Sequence, residues 1–160
     1  MGYTNYIEIK KNINVKNITV KDIETEFTAA KQEIRQLIYF VQTQKKDIVL
    51  DYIYNPEYIS FNGDERNGLD HETFYLHETY ELFSKDFNFC KTARKPYDQV
   101  VVAAMCILKS HLYNVINIDS DGYSLNKYID QEIHDGYNLY KEFKKYSINP
   151  FTLTLKQLFK

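Results

Sequence analysis

Two cysteines, Cys90 and Cys106, stand in a chain of 160 residues. That is too few for a disulfide framework, so the fold must rest on its core, with two buried thiols in a reducing compartment. A chain of this length buries roughly two thirds of its unfolded surface and needs no metal or disulfide to fold. No stretch approaches the roughly 20 consecutive apolar residues of a bilayer-spanning helix, so no membrane partner is expected. The opening Met1-Gly2-Tyr3-Thr4-Asn5-Tyr6 lacks the basic and apolar regions of a leader peptide, and Tyr6 stands where a myristoylation signal needs Ser or Thr. Glycine is scarce, with 5 residues, and forms no Gly-rich phosphate loop. Neither a nucleophile elbow nor a deaminase Cys-x-x-Cys occurs. His71, His77, His111 and His134 show no zinc-type i, i+4 pair, and no cofactor is expected. A net charge of −2 argues against broad nucleic-acid binding.

What is abundant is ring surface: 15 Tyr and 10 Phe, with no Trp. Tyrosine packs through its ring and bonds through its hydroxyl, which suits a ligand pocket. Asn, Ile and Lys are frequent too, so most of the tyrosines are assigned to a general compositional bias.

Tyr3 to Ile9 alternates in the manner of a strand, followed by a polar connection from Lys10 to Asn17. Thr19 and Asp22 form a capping-box pattern. Ile23, Phe27, Ala30, Ile34, Leu37, Ile38 and Val41 then recur at helical spacing to about Gln42, with Glu24, Glu26, Lys31 and Arg35 on what reads as a solvated face. Strands are predicted over Ile48–Tyr54, Tyr58–Phe61, Glu72–Leu76 and Phe87–Lys91. Asn62-Gly63-Asp64 and Asn67-Gly68 read as turns with positive φ, inside a polar connection long enough to be mobile. A nearly all-apolar central helix is expected from Pro96 to about Leu112, and another strand over Val115–Ile118. A last helix, capped by Ser124, runs to about Tyr146 with Ile129, Ile133, Tyr140 and Phe143 inward and Gly136 as its weak point. The order β-α-β-β-β-β-α-β-α predicts an α+β fold: a two-layer sandwich of a mostly antiparallel sheet of about five strands with three helices. Residues 1–148 form a single domain, and 149–160 an appendage that could serve as a homo-oligomer contact.

The most informative stretch is Phe87-Asn88-Phe89-Cys90-Lys91-Thr92-Ala93-Arg94-Lys95-Pro96-Tyr97-Asp98. A strand ends in a basic turn that feeds a proline-started helix. N–H groups at a helix start lack partners within the helix, and positive charge beside them costs roughly 0.3–1 kcal/mol per exposed group. Lys91, Arg94 and Lys95 therefore call for a compensating anion, either internal or bound. Asp119-Ser120-Asp121-Gly122 is a turn former, lacking the further oxygens of a calcium loop.

Gly2-Tyr3-Thr4-Asn5-Tyr6, Phe61-Asn62-Gly63-Asp64, Glu72-Thr73-Phe74, the Phe89-to-Asp98 block and Ser120-Asp121-Gly122 occur in that order. The set resembles a family of small bacteriophage and bacterial proteins that open with Gly-Tyr-Thr-x-Tyr. The likeness covers nearly the whole chain as far as Tyr146, although this chain lacks the Trp residues often found in that family. It implies a compact phage-type accessory protein of the host cytoplasm, and implies no reaction. Its shared residues suggest a nucleotide-sized site built from Tyr3, Tyr6, Asn62, Glu72, Lys91, Thr92, Arg94, Lys95, Tyr97 and Asp121. Arginine can grip a phosphate and tyrosine can stack on a base. The expectation is a protein that sequesters a small phosphorylated or nucleotide-like ligand, such as a host-defence signal. One alternative is a hydrolase of such a ligand, with Asp121, Glu72 or His71 as acid or base. The other is an inhibitor of a host enzyme, marked by an exposed apolar patch around Phe151 to Phe159.

Overall fold

In the computed structural model, described for residues 3–10, 18–86, 88–124 and 128–159, the chain is an α+β protein. Its elements are β1 (Thr4–Ile9), α1 (Val20–Gln44), β2 (Leu50–Tyr52), β3 (Ile59–Gly63), β4 (Phe74–Leu76), α2 (Tyr80–Lys85), β5 (Asn88–Lys91), α3 (Asp98–His111), β6 (Ile116–Ser120), β7 (Tyr123–Ser124), β8 (Tyr128–Ile129), α4 (Gln131–Lys144) and α5 (Leu155–Leu158). The expected polar connection lies outside the described residues after Lys10.

The core forms around α3, every residue of which from Val100 to Leu108 is buried. A helix apolar on all sides must be covered on all sides. Here β1 and β6 lie against it together with α1 and α4. Gly136 lies where α4 packs closely on α3: a Cβ there would stand 2.4 Å from the Cβ of Val102.

Helix α1 starts as its sequence predicts. The Thr19 hydroxyl accepts from Asp22 N–H, and the Asp22 carboxylate accepts from Thr19 N–H. Its charged residues, however, do not form a solvated face. Lys31 is buried and donates to the carbonyls of Glu57 (2.8 Å) and Glu78 (2.6 Å). Arg35 donates to the Asn55 carbonyl, and Glu24 accepts the N–H groups of Tyr80 and Glu81 that open α2. Glu26 and Glu33 hold His111 from either side, and Glu33 also pairs with Lys144. Long side chains thus tie α1 to the segments before β3 and after β4 and to α2, α3 and α4.

In place of the expected single sheet of about five strands, the described residues form two antiparallel three-stranded sheets, ordered β2-β3-β4 and β5-β1-β6, with a separate β7-β8 ladder. Strands β4 and β5 are neighbours without a ladder between them. Glu72 N–H donates to the Lys91 carbonyl (3.1 Å) at one end, and His77 pairs with Asp86 (2.6 Å) at the other. Glu72 itself takes the bonds that would continue the ladder. Its carboxylate accepts Lys91 N–H (2.8 Å), and its carbonyl accepts the Tyr97 hydroxyl (2.6 Å) and the Cys90 thiol. The strands part beyond that point.

Three further differences follow from local chemistry. Tyr123–Ser124 pairs with Tyr128–Ile129, so the last long helix begins at Gln131 and not at Ser124. Gly68 does adopt a positive φ (67°), closing the turn after Glu65–Asn67, whereas Gly63 is an ordinary strand residue whose missing Cβ makes room for the Leu69 carbonyl. The end of the chain is seated rather than appended. Thr154 and Gln157 form a capping box, Leu158 and Phe159 are buried, and Phe159 stacks on Tyr123 (4.8 Å) and bridges to Ile118 at the outer edge of β6.

Candidate functional site

The basic turn does not build an anion cradle. Pro96 lies two residues before α3, in a tight lead-in turn that satisfies the helix start from behind. Asp98 N–H donates to Lys95 (2.9 Å), Gln99 to Pro96 (3.4 Å), and Val100 and Val101 to Tyr97. The anion at this positive end is internal: Asp98, the first residue of α3, with 1 % of its surface exposed.

The three cations diverge. Arg94 pairs with Asp130 (3.0 Å) and Glu132 (2.8 Å) while its guanidinium lies over the Tyr3 ring at 4.4 Å. Lys95 donates to the Gly68 carbonyl (2.8 Å), and the exposed Lys91 lies over the Phe89 ring. Ala93 and Arg94 both have left-handed backbones (φ 47° and 59°), a conformation that costs non-glycine residues roughly 1–2 kcal/mol each. Thr92 N–H to the Tyr3 carbonyl, Lys95 N–H to the Thr92 carbonyl and the two Arg94 ion pairs hold the turn in that shape.

The other expected site residues serve structure in the same way. The Tyr6 hydroxyl and Thr4 N–H both donate to Asp121. The Asn62 amide donates to the His71 carbonyl and Thr73 hydroxyl and accepts from Gly63 and His71 N–H, stapling the 63–71 loop. Tyr97 is fully buried, its hydroxyl spent on Glu72. Burial drives the phenol pKa values of Tyr3 and Tyr97 well above the ordinary tyrosine range. The acid-base candidates are likewise occupied: His71 Nδ1–H donates to the Lys91 carbonyl (2.8 Å), and the Glu72 and Asp121 carboxylates hold backbone N–H groups. Side-chain contacts among the ten expected site residues fall in separate groups: Tyr3 with Arg94, Tyr6 with Asp121, and Glu72 with Lys91 and Tyr97. None of the ten lines the cleft between β4 and β5.

One opening lies where the two sheets part. A cleft of about 330 Å³ runs between β4 and β5, at the lower end of the roughly 300–1,000 Å³ usual for small-molecule sites. Tyr75 and Phe89, both exposed, flank its mouth; His77 and Asp86 close one end; Asn5, Ile7, Cys90 and Met105 line it further in. Asn5 is 1 % exposed. Its Nδ2 donates to Asp98 Oδ1 (2.7 Å), which also receives the Thr92 hydroxyl (2.5 Å). A carboxylate only accepts, so this contact sets the orientation of the Asn5 amide. Asn5 Oδ1 and Asp98 Oδ2 are both buried without a donor. Such vacancies are uncommon in native interiors. Burial pushes the Asp98 carboxyl up to about 6 despite the Thr92 and Asn5 hydrogen bonds that oppose the shift, and pushes the neighbouring Cys90 thiol up to about 12.

Asn5 and Asp98 carried one sequence signal not used above. Tyr3, Asn5 and Ile7 share the inward register of β1, and an amide at a core position requires partners. Tyr75 and Phe89 carried none, since an outward ring on a strand is ordinary.

No protein-family model, curated protein or solved structure matches this chain.

Proposed function

We propose that the protein binds a small nucleotide-like ligand and holds it unchanged, with a base entering the cleft between β4 and β5. One observation carries this reading. The cleft is lined inside by Asn5, whose buried Oδ1 has no donor, and it carries aromatic rings at its lips. Phosphates of such a ligand stay outside, toward Lys91, because the Asp86 carboxylate and the Asn5 oxygen that line the cleft would repel them. A phage-type accessory protein of this kind would sequester a nucleotide signal of host defence. Titration calorimetry against cyclic dinucleotides, cyclic oligonucleotides and ADP-ribose derivatives, with chromatography of the recovered ligand, tests the reading. The expected result is binding of intact ligand that survives Arg94→Ala and is lost in Tyr75→Ala. Fragmented ligand, or binding abolished by Arg94→Ala alone, contradicts it.

A second reading, an inhibitor acting by surface contact, draws on a different observation. Tyr39, Tyr146, Ile148 and Phe151 are exposed, and the first three line an apolar groove beside Phe40 and Phe143 at the C-terminal ends of α1 and α4. Capture of a host enzyme that is lost in Ile148→Asp and retained in Phe89→Ala favours this alternative.

A further inference from the structure

We infer that the cleft selects its ligand by an amino group: it accepts a heteroaromatic base bearing an exocyclic amine and rejects the keto base of the same shape. The inference rests on the cleft being the binding site. It goes further by assigning the sign of the recognition, which is opposite to an anion site.

The chemistry begins with the Asn5 amide. Its N–H₂ end is committed to Asp98 Oδ1, so the oxygen is the end left without a partner. Asp98 Oδ2, bonded into the same cluster but not part of the cleft lining, is also an acceptor without a donor. Thr92 directs its hydroxyl to Oδ1 and so supplies nothing to either. The Cys90 thiol, which also lines the cleft, is turned to the Glu72 carbonyl. The Asn5 oxygen is therefore the unmatched acceptor among the residues that line the cleft. A group that completes this cluster must bring N–H or O–H bonds.

The mouth of the cleft is flanked by rings. Tyr75 sits on one lip, with His77 edge-on to it at 4.9 Å and Tyr58 packed at 5.4 Å. Phe89 sits on the other lip, with the Lys91 ammonium over its ring. Flat faces at the mouth suit a planar ring, and stacking on aromatic side chains is worth roughly 1–3 kcal/mol per base whatever the base. Stacking thus supplies affinity without discrimination. Discrimination falls to the inner end, where an amine satisfies Asn5 Oδ1 and a keto oxygen sets two acceptors against each other. Adenine and cytosine present the amine, and hypoxanthine and uracil the oxygen. Leaving a buried acceptor unmatched costs enough to weaken binding at least roughly tenfold.

The test is titration calorimetry of the unmodified protein with four nucleosides at one pH and salt: adenosine against inosine, and cytidine against uridine. The expected result is that at least one amino nucleoside binds and that its keto counterpart binds at least roughly tenfold more weakly. Phe89→Ala, at an exposed position, should weaken all binding while keeping the preference. Asn5→Leu, checked for folding by circular dichroism, should remove the preference. Equal affinities for an amino and keto pair overturn the inference and leave the cleft as a ligand site. Absence of binding by all four, or binding unaffected by Phe89→Ala, overturns both.

Discussion

Replacing Asp98 by asparagine should stabilise the protein, and should do so only where the native carboxylate is charged. Asp98 lies at the start of α3 with 1 % exposure, and burial raises its pKa to about 6, against roughly 3.9 in an unfolded chain. An acid with a raised folded-state pKa binds protons more readily when folded. Its penalty is therefore complete above the folded value and is relieved as pH falls through 6 toward the unfolded value. Two units of difference correspond to about 3 kcal/mol at pH 8. The substituted amide would keep an oxygen for the Asn5 amide and Thr92 hydroxyl, so little hydrogen bonding is lost. Asp98→Asn should gain roughly 2–3 kcal/mol at pH 8, and the gain should shrink by about 1.4 kcal/mol at pH 5. Urea unfolding of both proteins at the two pH values measures this directly. For a domain of this size, the pH 8 gain should appear as a rise of roughly 5–10 °C in Tm. Other titrating groups, including His111 between Glu26 and Glu33, are present in both proteins and cancel in the difference. A gain equal at pH 8 and pH 5, or a variant less stable at pH 8, would refute the reasoning.

Gly136→Ala should destabilise the fold by roughly 1–3 kcal/mol despite the better helix propensity of alanine, because its methyl group meets Val102; a melting curve shows the sign. Phe159→Ala removes a ring stacked on Tyr123, and a loss of roughly 3–5 kcal/mol in chemical unfolding is expected if the chain end is part of the core; no change would mean that it is dispensable. Arg94→Ala should cost less than about 1 kcal/mol through its half-exposed ion pairs while leaving nucleoside affinity unchanged, measured by unfolding and calorimetry on the same preparation.

Local patterns made much of the fold legible. The capping box of Thr19 and Asp22 and the spacing from Ile23 to Val41 placed α1, and the unbroken apolar run from Val100 marked α3 as the central helix. The parting of the sheet was not legible, because it depends on Glu72 receiving bonds from Lys91, Cys90 and Tyr97 across the fold. No pattern within β4 or β5 reports that. Ser124 has the chemistry of a helix cap, and only its pairing with Tyr128 makes it a strand residue. At the basic turn, the need for an anion was read from Lys91, Arg94 and Lys95, but Asp130 and Glu132 come to Arg94 from the start of α4. Their arrival is a tertiary event that turns an apparent ligand site into an internal salt bridge. Asn5 was the legible clue left over, a polar residue on the core side of a strand.

Whether the cleft between β4 and β5 is the binding site is decided by a two-dimensional ¹H–¹⁵N spectrum of the protein titrated with adenosine, following backbone amides and the Asn5 side-chain amide. Shifts concentrated at Asn5, Thr73–His77 and Asn88–Cys90 are expected. Shifts centred on Lys91–Asp98 and Asp121, with the Asn5 amide unmoved, would refute the cleft and return the site to the basic turn.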